Sequence, residues 1–216
     1  MGTPLRDVID LVGGGARPGR RIVAVISGVA NAVLGAEQLG TPLSYEAMTA
    51  IGSGLGAAGF IVFDDTTDLV AVAAGVARFL AVESCGQCAR CKQDGLGISD
   101  RLRQITRSAA PLEALDEVQA LLRTVAEGAR CNLASQQQTV VGSILTVFPD
   151  PVDAHLTQRV PPREPELIAA ILDLEHDQVV LDEHQVEKQP DWTYEPEDSG
   201  QWPADRLDDH RNPQPL

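Results

Sequence analysis

Hydrophobic and polar positions alternate in two different rhythms along this chain. Thr3 to Leu11 has helix-like spacing and runs into Gly13-Gly14-Gly15 and Pro18-Gly19, which are turn material. Arg21-Ile22-Val23-Ala24-Val25-Ile26 is then a β-branched run closed by Ser27-Gly28. Phe60-Ile61-Val62-Phe63 is a second, closed by Asp64-Asp65, and both read as buried strands. The stretch between them is loop-rich, with Thr41-Pro42 and one short helix predicted over Tyr45 to Ile51.

After Asp65 the period lengthens to about 3.6 and helices take over. Thr67 is placed to cap a helix from Asp68 to about Glu83, with Val70, Ala74, Ala77 and Ala81 on its buried face. Ser99 or Asp100 opens the next, to Ser108. Pro111 suits a first helical turn, and Leu115, Val118, Leu122 and Val125 form one stripe before Gly128 ends that helix. A further helix follows Cys131 and stops at Pro149. Residues 166–175 are predicted to form one more short helix. From His176 onward charge is high, prolines recur and periodicity is lost, which predicts disorder. The fold class expected is α+β: a sheet-containing unit over residues 1–65, a helical bundle over 66–155, and an acidic, largely disordered tail over 156–216.

Charge sharpens this division. Of the 31 acidic and 17 basic side chains, residues 150–216 hold 17 acidic and 5 basic, while the first 149 are nearly balanced; the formal charge is −14. A polyanionic surface repels phosphate backbones, so no nucleic-acid partner is expected. The longest apolar stretch, Leu69 to Val82, is interrupted by Arg78 and too short to span a bilayer, and the N-terminus lacks the layout of a secretion signal. The protein is expected to be soluble and cytoplasmic, peripheral to a membrane at most. Trp192, Tyr194 and Trp202 lie in the acidic tail and are candidates for a docking segment.

The chemistry concentrates in four cysteines. Cys85-Gly86-Gln87-Cys88-Ala89-Arg90-Cys91 places three thiols in one short segment at a helix end, and Cys131 stands at the far side of two predicted helices, whose hairpin can return it. Thiols this close do not pair comfortably with one another as disulfides. Three clustered ligands plus one remote ligand suit a cubane iron–sulfur cluster, with Gly86 permitting a tight wrap; a zinc site of four cysteines is the competing reading, and unligated cysteines a third.

A resemblance narrows these alternatives. Glu83-Ser84-Cys85-Gly86-Gln87-Cys88 with Cys91, preceded by Phe63-Asp64-Asp65-Thr66-Thr67 and Ala77-Arg78-Phe79 and followed by Cys131-Asn132-Leu133, resembles the flavoprotein subunit of NADH:quinone oxidoreductase, the NADH-binding subunit of respiratory complex I. Gly2-Thr3-Pro4-Leu5-Arg6, the triple glycine and Thr41-Pro42-Leu43-Ser44-Tyr45-Glu46 resemble the β-grasp (SLBB) domain that precedes the cluster bundle there. The resemblance implies that Cys85, Cys88, Cys91 and Cys131 ligate one 4Fe-4S cluster that takes electrons from reduced flavin. It also implies that the flavin- and NADH-binding domain lies outside this chain, so neither FMN nor NAD is expected to bind it and NADH oxidation is not expected of it unaided. The function expected is an electron-transfer module beside a flavin-bearing redox partner; the alternative is a non-catalytic interaction or assembly protein with a structural metal site.

Other signals are set aside. Gly54-Leu55-Gly56-Ala57-Ala58-Gly59 has the letters of a dinucleotide loop but leads into a strand when it should follow one. His155, His176, His184 and His210 are read as solvated residues beyond the bundle, and no catalytic residue is expected.

Overall fold

The computed structural model describes residues 2–176 and 178–190. Among them are seven α-helices and two small sheets. Trp192, Tyr194, Trp202 and His210 lie outside the described residues.

The N-terminal part is a three-stranded antiparallel sheet. Its central strand β1 (Ile22–Ser27) pairs with β2 (Leu34–Gly35) on one side and β3 (Phe60–Asp64) on the other. A bulge between Ile22 and Ala24 shifts the register, so Val23 and Ala24 face one side together while Ile22 and Val25 face the other. On that second side Leu5 and Ile9, one turn apart on α1 (Leu5–Val12), pack with Met48 of α2 (Tyr45–Ala50). Ser44 caps α2 by accepting the Ala47 N–H at 3.1 Å. The triple glycine is a turn, with Gly14 and Gly15 in the left-handed region (φ 76° and 74°).

The opposite face of the sheet belongs to the helices. Ala24, Ile26 and Phe63 join one continuous core with α3 (Leu69–Val82), α4 (Ala89–Thr106), α5 (Ala114–Thr124) and α6 (Leu133–Val147). A break in sequence pattern at residue 65 is therefore not a break in the core. The helix α3 is buried on nearly every side because sheet, α4, α6 and the segment after residue 163 all cover it. Its alanines, valines and glycine allow that approach. Its cap is Asp68, not Thr67: the carboxylate accepts N–H bonds from Val70 and Ala71.

Three expectations need correcting. The helix predicted to open at Ser99 or Asp100 begins at Ala89, ten residues earlier. Gly95 and Gly97 depress helix propensity there, yet they let α4 close on its neighbours: a Cβ would meet Gln137 Oε1 at 3.1 Å and Leu121 Cδ1 at 3.0 Å. Pro149 ends α6 but also opens α7 (Pro149–Leu156), since a proline at the first helical position loses no hydrogen bond. The helix predicted over 166–175 is instead β4 (Ile171–Glu175), paired antiparallel with β5 (Gln178–Leu181).

The described part of the acidic tail is also structured. A 3-10 turn, Glu183–Val186, follows β5. Gln185 Nε2 and Lys188 Nζ donate to Glu83 Oε1 at 3.1 and 2.7 Å, and Arg78 donates to the carbonyls of Val186 and Lys188. These bonds attach residues 185–188 to the C-terminal end of α3, whereas residues 191–216 of the expected disordered tail lie outside the described residues. No described helix is long and apolar enough to cross a membrane.

Candidate metal centre

Beyond Val82 the chain leaves α3 through Glu83, whose N–H bonds to the Phe79 carbonyl at 3.0 Å, and Ser84, whose N–H bonds to Ala81. Gly86 then takes a left-handed conformation (φ 73°) that other residues adopt at a cost, and its N–H donates to Ser84 Oγ at 3.3 Å. Cys88 is extended and immediately precedes α4, and its carbonyl accepts the Lys92 N–H at 3.0 Å. Cys85 and Cys88 therefore lie in the connection. Cys91 lies in the first turn of α4, a placement that follows from the early start of that helix.

Cys131 arrives from the other side. Gly128 (φ 68°) turns the chain after α5, and Cys131 stands two residues before α6. Arg130 Nη1 donates to Gln87 Oε1 at 3.3 Å, tying the two cysteine-bearing loops together. All four thiols line one cavity of about 250 Å³, with Ser84, Leu133 and Ala134 among its other walls. None is in a disulfide. Cys91 is buried at the base, Cys88 is half-buried, and Cys85 and Cys131 are exposed at the mouth. Among the described residues, no three His, Cys, Asp or Glu side chains are gathered closely enough to hold a single metal ion.

The site is built to hold negative charge. The N-terminal ends of α4 and α6 both border it, neither helix has an acid in its first turn, and free amides and helix dipoles there favour anions such as thiolates. Arg90 lies 3.8 Å from both Asp94 and Glu127, so its charge is partly compensated. Burial pushes the Cys91 thiol above the usual range; the Ser84 hydroxyl, 3.5 Å from its sulfur, works in the opposite direction, and the other three cysteines add to the rise. A bound cation would relieve that penalty, since metal binding and thiol deprotonation are linked.

Side chains with no sequence signature brace the centre. Gln137 of α6 is fully buried and donates to the carbonyls of Gly95 in α4 and Ala77 in α3, at 3.2 and 3.5 Å. It thereby joins the helices that follow or precede each cysteine loop. Flanked by Gln136 and Gln138, it is not singled out by residue type, and no signal in the sequence marks it. Asp94 is likewise buried and accepts from Thr124 Oγ1 at 2.6 Å, fixing α4 to α5. His155 is not a solvated residue: it is 1% exposed in α7 and bonds Asp68. The glycine-rich run at 54–59 is structural: the Leu55 carbonyl accepts from Ser27 Oγ, and a Cβ on Gly54 would strike Asn31.

With this geometry in place, comparison with known proteins is specific. Residues 71–155, from α3 to α7 and including all four cysteines, match the family described as the NADH-ubiquinone oxidoreductase-F iron-sulfur binding region. Over this stretch the chain is similar to that family's iron–sulfur binding region. Similarity extends beyond it: the chain is 32% identical over 161 residues to an F-type subunit of NADH-quinone oxidoreductase in Rhizobium meliloti, covering 74% of this chain and 38% of that protein. It is 28% identical over 160 residues to the HndC component of the NADP-reducing hydrogenase of Solidesulfovibrio fructosivorans, covering 74% of this chain and 33% of that protein. A crystal structure of an NAD+-reducing NiFe-hydrogenase in the H2-reduced state superimposes with a TM-score of 0.62 and 28% identity, over 72% of this chain and 26% of that one. The chain thus spans little more than a third of the curated relatives it matches. Its mixed helix-and-sheet architecture is shared with the hydrogenase chain.

Proposed function

We propose that this chain is the iron–sulfur electron-transfer module of an NADH dehydrogenase-type redox complex, with Cys85, Cys88, Cys91 and Cys131 as the ligands of one 4Fe-4S cluster. The observation that carries this reading is the shared cavity: three thiols from the α3–α4 connection and the first turn of α4, and one from just before α6, line a single space. Three thiols from one short segment and a fourth from a distant one, around a common volume, suit a group whose metals sit at separate corners and each need one sulfur, whereas a zinc site more often uses two separated pairs of cysteines.

When bound, the cluster would supply one-electron transfer. The chain's own residues do the rest. Cys91 anchors the buried side, Gly86 lets the loop wrap, the two helix ends and Arg130 offset negative charge, and Gln137 holds the helices in register. Cys85 and Cys131 at the exposed mouth are the side from which a partner's electron would arrive or leave. The relatives are named as subunits of an NADH-quinone oxidoreductase and of an NADP-reducing hydrogenase, which supports a redox partner chain; we read that partner as the bearer of flavin and the NADH site, and free thiols support a reducing, cytoplasmic setting. We read residues 1–65, an antiparallel sheet with α2 between β2 and β3, as the β-grasp-like unit of the family, serving to attach the centre to that partner.

Anaerobic purification followed by iron and sulfide analysis, with EPR after dithionite reduction, tests this. Equal iron and acid-labile sulfide and a reducible signal are expected, both lost in Cys88→Ser. Stoichiometric zinc, or a centre that dithionite does not reduce, would overturn electron transfer as the function.

A further inference from the structure

We propose that the cleft between α3, α4 and residues 164–168 binds a small oxyanion with an apolar body, its carboxylate or phosphate held by Arg78 and Arg103. The cleft is a fixed feature. The Arg163 N–H donates to the Thr106 carbonyl at 2.8 Å and the Glu166 N–H to the Ala71 carbonyl at 2.9 Å, attaching the segment to both helices. It crosses α3 so closely that a Cβ on Gly75 would lie 2.0 Å from the Glu166 carbonyl oxygen, and only glycine leaves that room. The turn at Glu183–Val186 closes another side, held by Arg78. The cleft has a volume of about 340 Å³, within the range of about 300–1,000 Å³ that small-molecule pockets occupy.

Its lining joins carbon with positive charge. Phe79, Leu167, Ile168 and Val186 supply apolar wall, and three arginines face two glutamates. Arg107 is answered by Glu164 in a two-bonded pair at 3.1 and 2.7 Å. Arg103 reaches Asp100 at 3.1 Å on the exposed rim. Arg78 has no carboxylate within 4.0 Å among the described residues: its bonds go to the carbonyls of Val186 and Lys188. It is half-buried, and burial first, then the charge of Arg103, pushes its guanidinium below the ordinary arginine range.

A partly buried cation without a counter-charge is costly, and two guanidiniums that repel one another are both relieved by an oxyanion between them. Three arginines gathered in one lining are a local concentration of cations in a chain of net charge −14. The apolar walls distinguish the expected ligand from a bare inorganic anion.

Calorimetric titration of the full chain with sodium octanoate and with octyl phosphate tests this, with octanol as the apolar body alone and acetate and inorganic phosphate as the bare anions. Saturable binding of at least one amphiphilic anion is expected, at least about tenfold tighter than octanol or its bare anion; which of the two binds distinguishes carboxylate from phosphate. Arg103→Gln, whose side chain is exposed, and Arg78→Gln are each expected to weaken it at least about tenfold. The proposal is overturned if neither amphiphile binds, if octanol, acetate or phosphate alone binds as tightly, or if both variants bind like the parent. Iron content is not involved, so failure here leaves the electron-transfer reading standing.

Discussion

His155 Nε2 lies 2.7 Å from one carboxylate oxygen of Asp68, while the other oxygen accepts the N–H groups of Val70 and Ala71 at 3.0 and 3.2 Å. One side chain thus caps α3 and anchors α7, which is the far end of the family's matched region.

His155→Ala removes a buried ring and strands part of the Asp68 carboxylate, and is expected to cost about 2–4 kcal/mol in urea unfolding. Asp68→Ala loses a helix cap as well as the bond, about 2 kcal/mol or more. Because both variants delete the same contact, the double variant should lose less than the two losses added. Strict additivity in the cycle would refute the coupling.

Gly75→Ala should destabilise despite the better helix propensity of alanine, worth about 1 kcal/mol. The new methyl group meets the Glu166 carbonyl, so a net loss of about 1–3 kcal/mol is expected from overpacking. Hydrogen exchange is the sharper check: the Glu166 amide, bonded to Ala71, should lose protection while the Leu102 region of α4 keeps it.

Cys131→Ala should strip iron as completely as Cys91→Ala, although Cys131 is remote in sequence, because all four thiols line one cavity. Iron retained at parental level in Cys131→Ala would remove that residue from the ligand set.

Acid should weaken the attachment of β3. Asp64 accepts from the Thr66 hydroxyl and the Thr66 N–H, and pairs with Arg17 at 2.8 Å. The Thr66 bonds foremost, then Arg17, hold its carboxyl below the usual aspartate range. With the folded value below the unfolded one, about 3.9, the contribution is complete above that pH and is lost as pH falls through the folded value. Asp64→Asn should therefore be less stable than the parent by a constant margin from about pH 5 to 8, with the margin shrinking below about pH 4. Arg17→Ala should retain most of the pH dependence, since Thr66 is the larger cause.

Local patterns were readable where one interaction dominates. Ile22 to Ile26 and Phe60 to Phe63 could only be strands, being short, β-branched or aromatic, and bounded by turns. The cysteine spacing identified the candidate ligands because ligation is a property of residue type and separation. Reading failed where neighbours outvoted propensity. Gly95 and Gly97 mark a helix break in isolation, but in the protein they are the points where α4 touches Gln137 and Leu121. Ile171 to Glu175 has enough apolar spacing for a helix, yet Val179 and Val180 offer it a strand partner after the turn at His176. His155 looks like any polar residue near a chain's acidic end until α7 turns it onto Asp68.

The sequence by itself determined β1, β3, α3, α5 and α6, the four thiols and the acidity of residues 150–216, all of which depend on side-chain chemistry and near-neighbour spacing. Only the tertiary structure decided that Cys131 shares a cavity with the other three, that the sheet and the helices have one core, and that residues 163–168 and 185–188 attach to α3 and α4. Those outcomes depend on contacts between segments far apart along the chain, where a missing methyl group at Gly75 or an uncompensated charge at Arg78 acquires its meaning from what is packed against it.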